Sequence, residues 1–288
     1  MANNSCFSEH FVLLSDGLRM YCREYGSGHV DAPTVLCLPG LTRNCRDFES
    51  LANWLATTHR VLTPDLRGRG RSDHDPNWHN YQPLNYVADV VHLLRALEAR
   101  RVVVIGTSLG GLVAMIMATL QPAALAAVVL NDIGPELDPA GLARIGRHVG
   151  QLPPVADWNE AAAQARQVNS AALPDLTAGQ WMAFARRIYR EDASGRPVLD
   201  MDPMIGAAMR ETAGASADLW VLYRSLADVP SLAIRGALSD LLSAGTLLRM
   251  QQLKPDLRTL VVPERGHAPT LDEPESRAAI RALLESIA

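Results

Sequence analysis

The stretch from Val102 to Asn131 constrains the fold most strongly, because it contains no charged side chain. Its length would allow a membrane span, which needs about 20 apolar residues. Several glycines and a proline divide it, however, into three shorter segments. Residues 102–105 and 126–130 are apolar runs typical of buried parallel strands, and residues 108–120 form a helical run between them. The stretch therefore predicts a buried β-α-β unit and no membrane segment.

The same alternation of strands and helices extends in both directions along the chain. A β-hairpin is expected around the Asp16-Gly17 turn, and further strands at residues 34–38, 60–64, 231–235 and 257–262. The other predicted helices of this pattern cover residues 47–56, 83–97, 244–253 and 274–287. Strands that alternate with helices predict an α/β fold with a mostly parallel, doubly wound sheet.

The alternation is interrupted from about residue 135 to residue 229, where helical runs follow one another without a convincing strand. These helices are predicted at residues 140–149, 158–169, 177–189, 203–211 and 217–226. Since the α/β alternation then resumes, we predict one core built from residues 1–134 and 230–288. Residues 135–229 are expected to form a helical cap inserted into that core.

Composition and charge exclude several classes of protein. The chain has 288 residues, of which 48% are hydrophobic and 20% charged, with a formal net charge of −4. Such a balance offers no basic field for nucleic acid or for an anionic membrane surface. Residues 1–5 have neither the basic nor the apolar region of a signal peptide. We therefore expect a cytoplasmic protein that binds a small molecule, as a monomer or homodimer.

The positions of the cysteines also favour a cytoplasmic protein. They lie at positions 6, 22, 37 and 45, all near the start of the chain, and none has CxxC spacing. A disulfide framework would not be confined to one end of so long a chain. Reduced thiols are expected.

Residues 106–110, Gly-Thr-Ser-Leu-Gly, match the pattern G-x-S-x-G directly after the predicted strand at 102–105. The pentapeptide alone is weak evidence, but between a strand and a helix it predicts a sharp turn that exposes the serine. Small flanking residues are needed there, because neighbouring backbone must approach without meeting a Cβ atom. Ser108 is therefore the candidate nucleophile.

With this motif the chain resembles the α/β-hydrolase superfamily over nearly its whole length. The resemblance rests on the serine turn and on four further motifs in the family's order: Pro39-Gly40-Leu41, Asp65 to Ser72, Arg235 to Asp240, and Gly266-His267. It implies an α/β-hydrolase fold, a Ser-His-Asp triad, and a helical cap over the site. It implies no cofactor and no metal.

His267 is the candidate general base, since a serine hydroxyl needs one near neutral pH. It follows the predicted strand at 257–262, where the family places its histidine. The third member must be a carboxylate that orients the imidazole. Asp240 matches the commonest position in the family and is preferred, whereas Asp132 matches a minority arrangement and is the alternative.

The resemblance also places an oxyanion hole. A developing oxyanion needs two N–H donors, and the positions that match the family's are the backbones of Leu41 and Leu109. This chain has Pro39 where many relatives have histidine, but Leu41 donates through its backbone, so the hole need not be lost.

Two other clusters have structural explanations. The run of arginines at 67, 69 and 71 lacks interleaved aromatic residues, so a tight loop explains it better than RNA binding. The group at His74, Asp75 and His79 fits no metal-ligand spacing.

The serine nucleophile leaves acyl chemistry, which includes hydrolysis and acyl transfer, because relatives that cleave epoxides or haloalkanes use an aspartate at that position. A small, rather apolar ester or lactone is the preferred substrate. The alternatives are C–C bond hydrolysis of ring-fission diketones, and a non-catalytic small-molecule receptor. Arg43, Trp181 and Phe184 are candidate pocket residues, and Arg43 can pair with a substrate carboxylate; packing of the cap and an exposed loop arginine are the competing interpretations.

Overall fold

An eight-stranded sheet forms the centre of the protein, seen here in a computed structural model that describes residues 7–29, 31–212 and 218–287. Its strands are β1 Ser8–Leu13, β2 Arg19–Tyr25, β3 Thr34–Leu38, β4 Val61–Pro64, β5 Val102–Thr107, β6 Leu125–Asn131, β9 Ser231–Gly236 and β10 Arg258–Val262. They are arranged in the order β1-β2-β4-β3-β5-β6-β9-β10. In this order, the six neighbours β4, β3, β5, β6, β9 and β10 pair in parallel. The hairpin of β1 and β2 lies at one edge, and β2 pairs antiparallel with β4.

Helices cover both faces of the sheet, as predicted for a doubly wound fold. Those connected to the sheet strands are α1 Glu49–Leu55, α2 Pro83–Ala96, α3 Leu109–Leu120, α9 Ala244–Leu253 and α10 Pro274–Glu285. Apolar side chains of α2, α3 and α9 pack on one face, and those of α1 and α10 pack on the other.

The central strand β5 explains why the stretch that begins with it carries no charge. Val102 and Val104 face one apolar cluster, and Val103 and Ile105 face the other. A strand buried on both faces has no position for a charged side chain. Among the described residues, no helix combines the length and the hydropathy of a membrane span.

Residues between β6 and β9, which we call the insertion, interrupt the sheet. They form α4 Pro139–His148, α5 Trp158–Asn169, α6 Ala178–Ile188, β7 Tyr189–Glu191, β8 Pro197–Leu199, α7 Met204–Thr212 and α8 Leu219–Arg224. Helices α5 and α6 have an apolar cluster of their own, which includes Trp181, Phe184 and Tyr189. The first residue of the last predicted helix of the insertion, Ala217, lies outside the described residues.

The expectation of an insertion without strands is wrong in one place. β7 and β8 pair as an antiparallel hairpin, with Gly195 in the left-handed region at φ 82°. Each strand is three residues long. That length is too short for the alternation of polar and apolar residues on which strand prediction depends.

The described cysteines are buried free thiols, which gives a first testable expectation. Burial raises the pKa of Cys22, Cys37 and Cys45. Thiolates are the reactive form, so these thiols should resist alkylation in the native protein and react in urea. Peptide mapping after iodoacetamide treatment measures this, and Cys6, outside the described residues, is scored separately. Rapid native modification at any of the three positions would contradict their burial.

Candidate active site

Ser108 lies in the sharp turn between β5 and α3, with φ 52° and ψ −113°. Positive φ is unfavourable for a residue with a side chain, and close packing on both sides holds the turn. A Cβ atom at Gly106 would lie 2.4 Å from the carbonyl carbon of Gly110, and one at Gly110 would lie 2.1 Å from the Leu38 carbonyl oxygen. Both positions therefore require glycine.

His267 meets this serine from the loop after β10. Its Nε2 is 3.0 Å from Ser108 Oγ, and its side chain is 10% exposed. The preceding residue fixes the loop against the insertion, because the Gly266 N–H donates to the Ala172 carbonyl at 2.8 Å. A Cβ atom at Gly266 would come within 2.7 Å of Ala172 Cα.

Asp132, directly after β6, is the carboxylate that contacts His267. Its Oδ2 lies 2.8 Å from His267 Nδ1, and the side chain is fully buried. The Ser239 hydroxyl donates to the same oxygen at 2.6 Å, and the Gly236 N–H donates to Oδ1 at 2.8 Å. Both carboxylate oxygens are thus held by hydrogen bonds, which fixes the carboxylate behind the imidazole.

The preference for Asp240 as the partner of His267 is wrong. Both oxygens of Asp240 accept hydrogen bonds from Arg144 of α4, at 2.5 and 2.8 Å. The Arg144 guanidinium lowers the pKa of this carboxyl, so Asp240 stays ionised as part of an ion pair. The alternative, Asp132, occupies the position behind the imidazole because β6 and β9 are neighbours and their ends meet there.

Two further residues of this arrangement, Ser239 and Asn131, were not predicted from the sequence. Ser239 donates a hydrogen bond to Asp132. It was not predicted, because a serine in a loop is usually solvated. Asn131 joins three loops: its carbonyl accepts the Ser108 N–H at 3.0 Å, and its Nδ2 donates to Thr107 Oγ1 and the Pro269 carbonyl. The position of Asn131 at the end of a buried strand was the one available hint, since polar groups buried there need partners.

The N–H group of Leu41, on the loop after β3, and that of Leu109, the first residue of α3, belong to the segments that border Ser108. Neither makes a hydrogen bond to any group in the described part of the chain. A buried Arg69 fixes the first loop, because its Nε donates to the Leu41 carbonyl at 2.7 Å. This bond uses the carbonyl of Leu41, so the N–H of the same residue stays available to a ligand.

The arginine run is a structural loop in this protein. Arg67 forms a two-point ion pair with Asp89 at 2.6 and 2.5 Å and also contacts Asp75. Arg67 and Arg69 are buried, whereas Arg71 is exposed and pairs with Glu9. In the described residues, no three His, Cys, Asp or Glu side chains form a group that could hold a metal ion.

A cavity of about 210 Å³ lies over Ser108 and His267. Its walls come from the loop at residues 39–43 and from the C-terminal halves of α4, α5 and α6. Arg43 and Phe184 line it, as expected. Trp181 does not, and its prediction as a pocket residue is wrong: it packs behind Phe184, with the two ring centroids 5.4 Å apart.

Two of the arginines that line this cavity are held in ion pairs. Arg43 forms a two-point ion pair with Asp47, with both distances 2.6 Å, and Arg144 pairs with Asp240. His148 also lines the cavity, and burial lowers its pKa, with the nearby Arg147 and Arg144 adding to the effect. His148 is therefore neutral at pH 7.

Comparison with known proteins agrees with this architecture. The model of the alpha/beta hydrolase fold family matches residues 33–274. A crystal structure of an α/β hydrolase from Novosphingobium aromaticivorans is 46% identical and superposes with a TM-score of 0.92, covering 97% of this chain and 98% of that one.

Two curated relatives extend the comparison. The 3-hydroxybutyrate-oligomer hydrolase of Cupriavidus necator is 33% identical, with 89% of each chain covered. The 2-(acetamidomethylene)succinate hydrolase of Mesorhizobium japonicum is 29% identical, with 90% of each chain covered. The chain belongs to the α/β-hydrolase fold family, and hydrolase activity is the general function that this membership supports.

Proposed function

We propose that this protein hydrolyses a small carboxylic ester through an acyl-enzyme on Ser108. The observation that carries the proposal is the unbroken hydrogen-bonded line from Ser108 Oγ through the His267 imidazole to the buried Asp132 carboxylate. A serine hydroxyl becomes an effective nucleophile when a positioned base accepts its proton. This line provides such a base and the carboxylate that orients it.

In the first half of the reaction, Ser108 Oγ forms a bond to the ester carbonyl carbon while its proton passes to His267 Nε2. The carbonyl oxygen becomes an oxyanion, and the free N–H groups of Leu41 and Leu109 are the proposed donors to it. The imidazolium then gives its proton to the alkoxide oxygen as the C–O bond breaks. The alcohol leaves, and the acyl group stays on Ser108.

In the second half, a water molecule gives one proton to His267 and its hydroxide attacks the acyl carbon. Collapse of this intermediate releases the carboxylic acid, and the proton returns from His267 to Ser108 Oγ. Throughout, the negative charge of Asp132 stabilises the imidazolium and holds the tautomer that carries its proton on Nδ1.

The proposed substrate is small because the cavity is small. About 210 Å³ is below the roughly 300–1,000 Å³ common for sites that bind drug-sized ligands. The relative from Cupriavidus necator acts by name on 3-hydroxybutyrate oligomers, which are short esters. Esters of short hydroxy acids are therefore the first substrates to test.

A panel of substrates distinguishes this proposal from its alternatives. The panel contains 4-nitrophenyl esters of increasing acyl length, a small lactone, linear 3-hydroxybutyrate dimer and a ring-fission diketone. We expect turnover of the short esters and the dimer, abolished in Ser108→Ala. Turnover of the diketone without that of the esters would favour C–C hydrolysis. If an alkyl fluorophosphonate left Ser108 unlabelled and no substrate turned over, a non-catalytic receptor would replace the proposal.

The identity of the carboxylate partner gives a second prediction. Asp132→Asn should lower kcat by about 10⁴-fold, by analogy with the same change in serine proteases. Asp240→Asn is the matched control, and it should leave kcat within about threefold, since its carboxylate contacts Arg144. Steady-state kinetics on one short aryl ester measure both. A larger loss in Asp240→Asn than in Asp132→Asn would reverse the assignment.

Ser239→Ala gives a third prediction, for the residue that supports Asp132. The variant removes one hydrogen bond to a charged oxygen, a change worth about 1.5–3 kcal/mol at most. We expect kcat to fall on the order of tenfold while KM is little changed. Ser239→Thr, which keeps the hydroxyl, should recover most of the loss; no recovery would show that the hydroxyl is not what supports the site.

A further inference from the structure

Three arginines line the cavity, and they differ in how their charge is balanced. Arg43 and Arg144 each hold a carboxylate through two hydrogen bonds, to Asp47 and Asp240 respectively. A guanidinium held in this two-point geometry has its charge neutralised and its strongest donors occupied. The charge of each of these two guanidinium groups is thus balanced within the protein, although each keeps N–H groups outside the pair.

Arg187, at the end of α6, has no such partner. Its Nε is buried and makes no hydrogen bond, and no other nitrogen of its guanidinium donates to a group in the described part of the chain. The nearest carboxylate oxygen, Oδ1 of Asp47, is 3.9 Å from Nε, beyond hydrogen-bond distance. The side chain is 36% exposed and lines the cavity.

Arg43, Asp47 and Arg187 together have an excess of one positive charge, because a single carboxylate faces two guanidinium groups. Because Nε is buried, the part of the Arg187 side chain that a carboxylate can reach is its exposed part. The planar guanidinium matches a carboxylate with two parallel hydrogen bonds. The arrangement is therefore complementary to a carboxylate.

The position of this cluster fits an anion on the same molecule as the reacting ester. A Cβ atom at Gly40 would lie 3.5 Å from Arg43 Cγ and 3.8 Å from Ser108 Cβ, so the cluster begins beside the nucleophile. The Phe184 ring lies 4.3 Å from the Arg43 guanidinium and 5.4 Å from that of Arg187. The backbone of Arg187 is fixed as well, since its carbonyl accepts a hydrogen bond from Asn44 Nδ2 at 2.9 Å.

On the basis of the proposed ester hydrolysis, we propose that Arg187 binds a free carboxylate of the substrate, so that the enzyme selects esters that carry one. Arg43, which the sequence indicated for this role, instead positions Asp47. Arg187 is a specificity residue in this account and takes no part in proton transfer.

Binding to a variant that cannot turn over substrate tests this directly. In Ser108→Ala, calorimetry compares the linear dimer of 3-hydroxybutyrate with the methyl ester of the same dimer, in which the carboxylate is capped. We expect the free acid to bind about 10- to 100-fold more tightly, and the preference to disappear when Arg187→Met is added. Equal affinity for the two forms, or no measurable binding of either, overturns the proposal.

Arg186→Met is the matched control on the same helix. Arg186 is half exposed, lies over the Trp158 ring at 3.6 Å and faces away from the cavity lining, so the preference should persist in this variant. Arg187→Lys should retain part of the preference, because the charge remains while the two-point geometry is lost. Since the Arg187 side chain makes no hydrogen bond, Arg187→Met should not lower the melting temperature, which separates a binding effect from misfolding.

Turnover separates this inference from the proposed function. With Ser108 intact, Arg187→Met should lower kcat/KM for the free dimer by about 10- to 100-fold and leave that for 4-nitrophenyl butyrate within about threefold. Equal losses on both substrates would mean a general structural role and overturn the inference. Hydrolysis of both dimer forms at the same rate in the unmodified enzyme would overturn the inference alone, whereas absence of any Ser108-dependent hydrolysis would overturn the proposed function.

Discussion

The close approach of α3 to the carboxyl end of the central strand β3 is the constraint on which the rest of the site depends. Gly110 lies so near the end of β3 that a methyl group there would overlap the Leu38 carbonyl oxygen. This contact brings the loop after β3 beside the first turn of α3, and Ser108 lies between them. The free N–H groups of Leu41 and Leu109 border the serine for the same reason. Without two glycines around Ser108, neither the turn nor its neighbours could occupy these positions.

The second determinant is the meeting of strand ends at β6 and β9. Both strands are followed by an aspartate, and either carboxylate could in principle reach the imidazole. Arg144 from the insertion holds Asp240, while Ser239 and the Gly236 N–H hold Asp132 behind His267. The partner of the histidine is thus decided by hydrogen bonds formed between distant parts of the chain. A loop of the core also fixes the insertion, because Gly68 and Gly70 form backbone hydrogen bonds with Asp202 and Asp200.

Most of the fold could be predicted from the sequence because its signals are local. Apolar β-branched runs, glycines at sharp turns and helical spacing placed nearly every strand and helix to within a few residues. The nucleophile and the histidine were equally accessible, since each lies in a short motif next to a strand. The identity of the carboxylate was not, because Asp132 and Asp240 have equivalent local contexts and differ in a contact with Arg144, some hundred residues away in the sequence.

The difference between local signals and tertiary contacts also explains which pocket residues could be predicted. Trp181 and Phe184 are three residues apart on α6, and this spacing could not say which ring lines the cavity and which packs behind it. Arg43 pairs with Asp47 four residues further along the chain, whereas Arg187 approaches the same carboxylate from α6, to 3.9 Å. That Arg187 lacks a hydrogen-bonded carboxylate could be recognised once the partners of Arg43 and Arg144 were known.

The central claim is that Asp132 holds the proton-bearing Nδ1 of His267. Proton NMR of the enzyme measures this most directly, because an imidazole N–H bonded to a buried carboxylate gives a resonance downfield of the backbone amides. We predict this resonance in the unmodified enzyme and in Asp240→Asn, and its loss in Asp132→Asn and His267→Ala. A resonance that survives Asp132→Asn and disappears in Asp240→Asn would contradict the account.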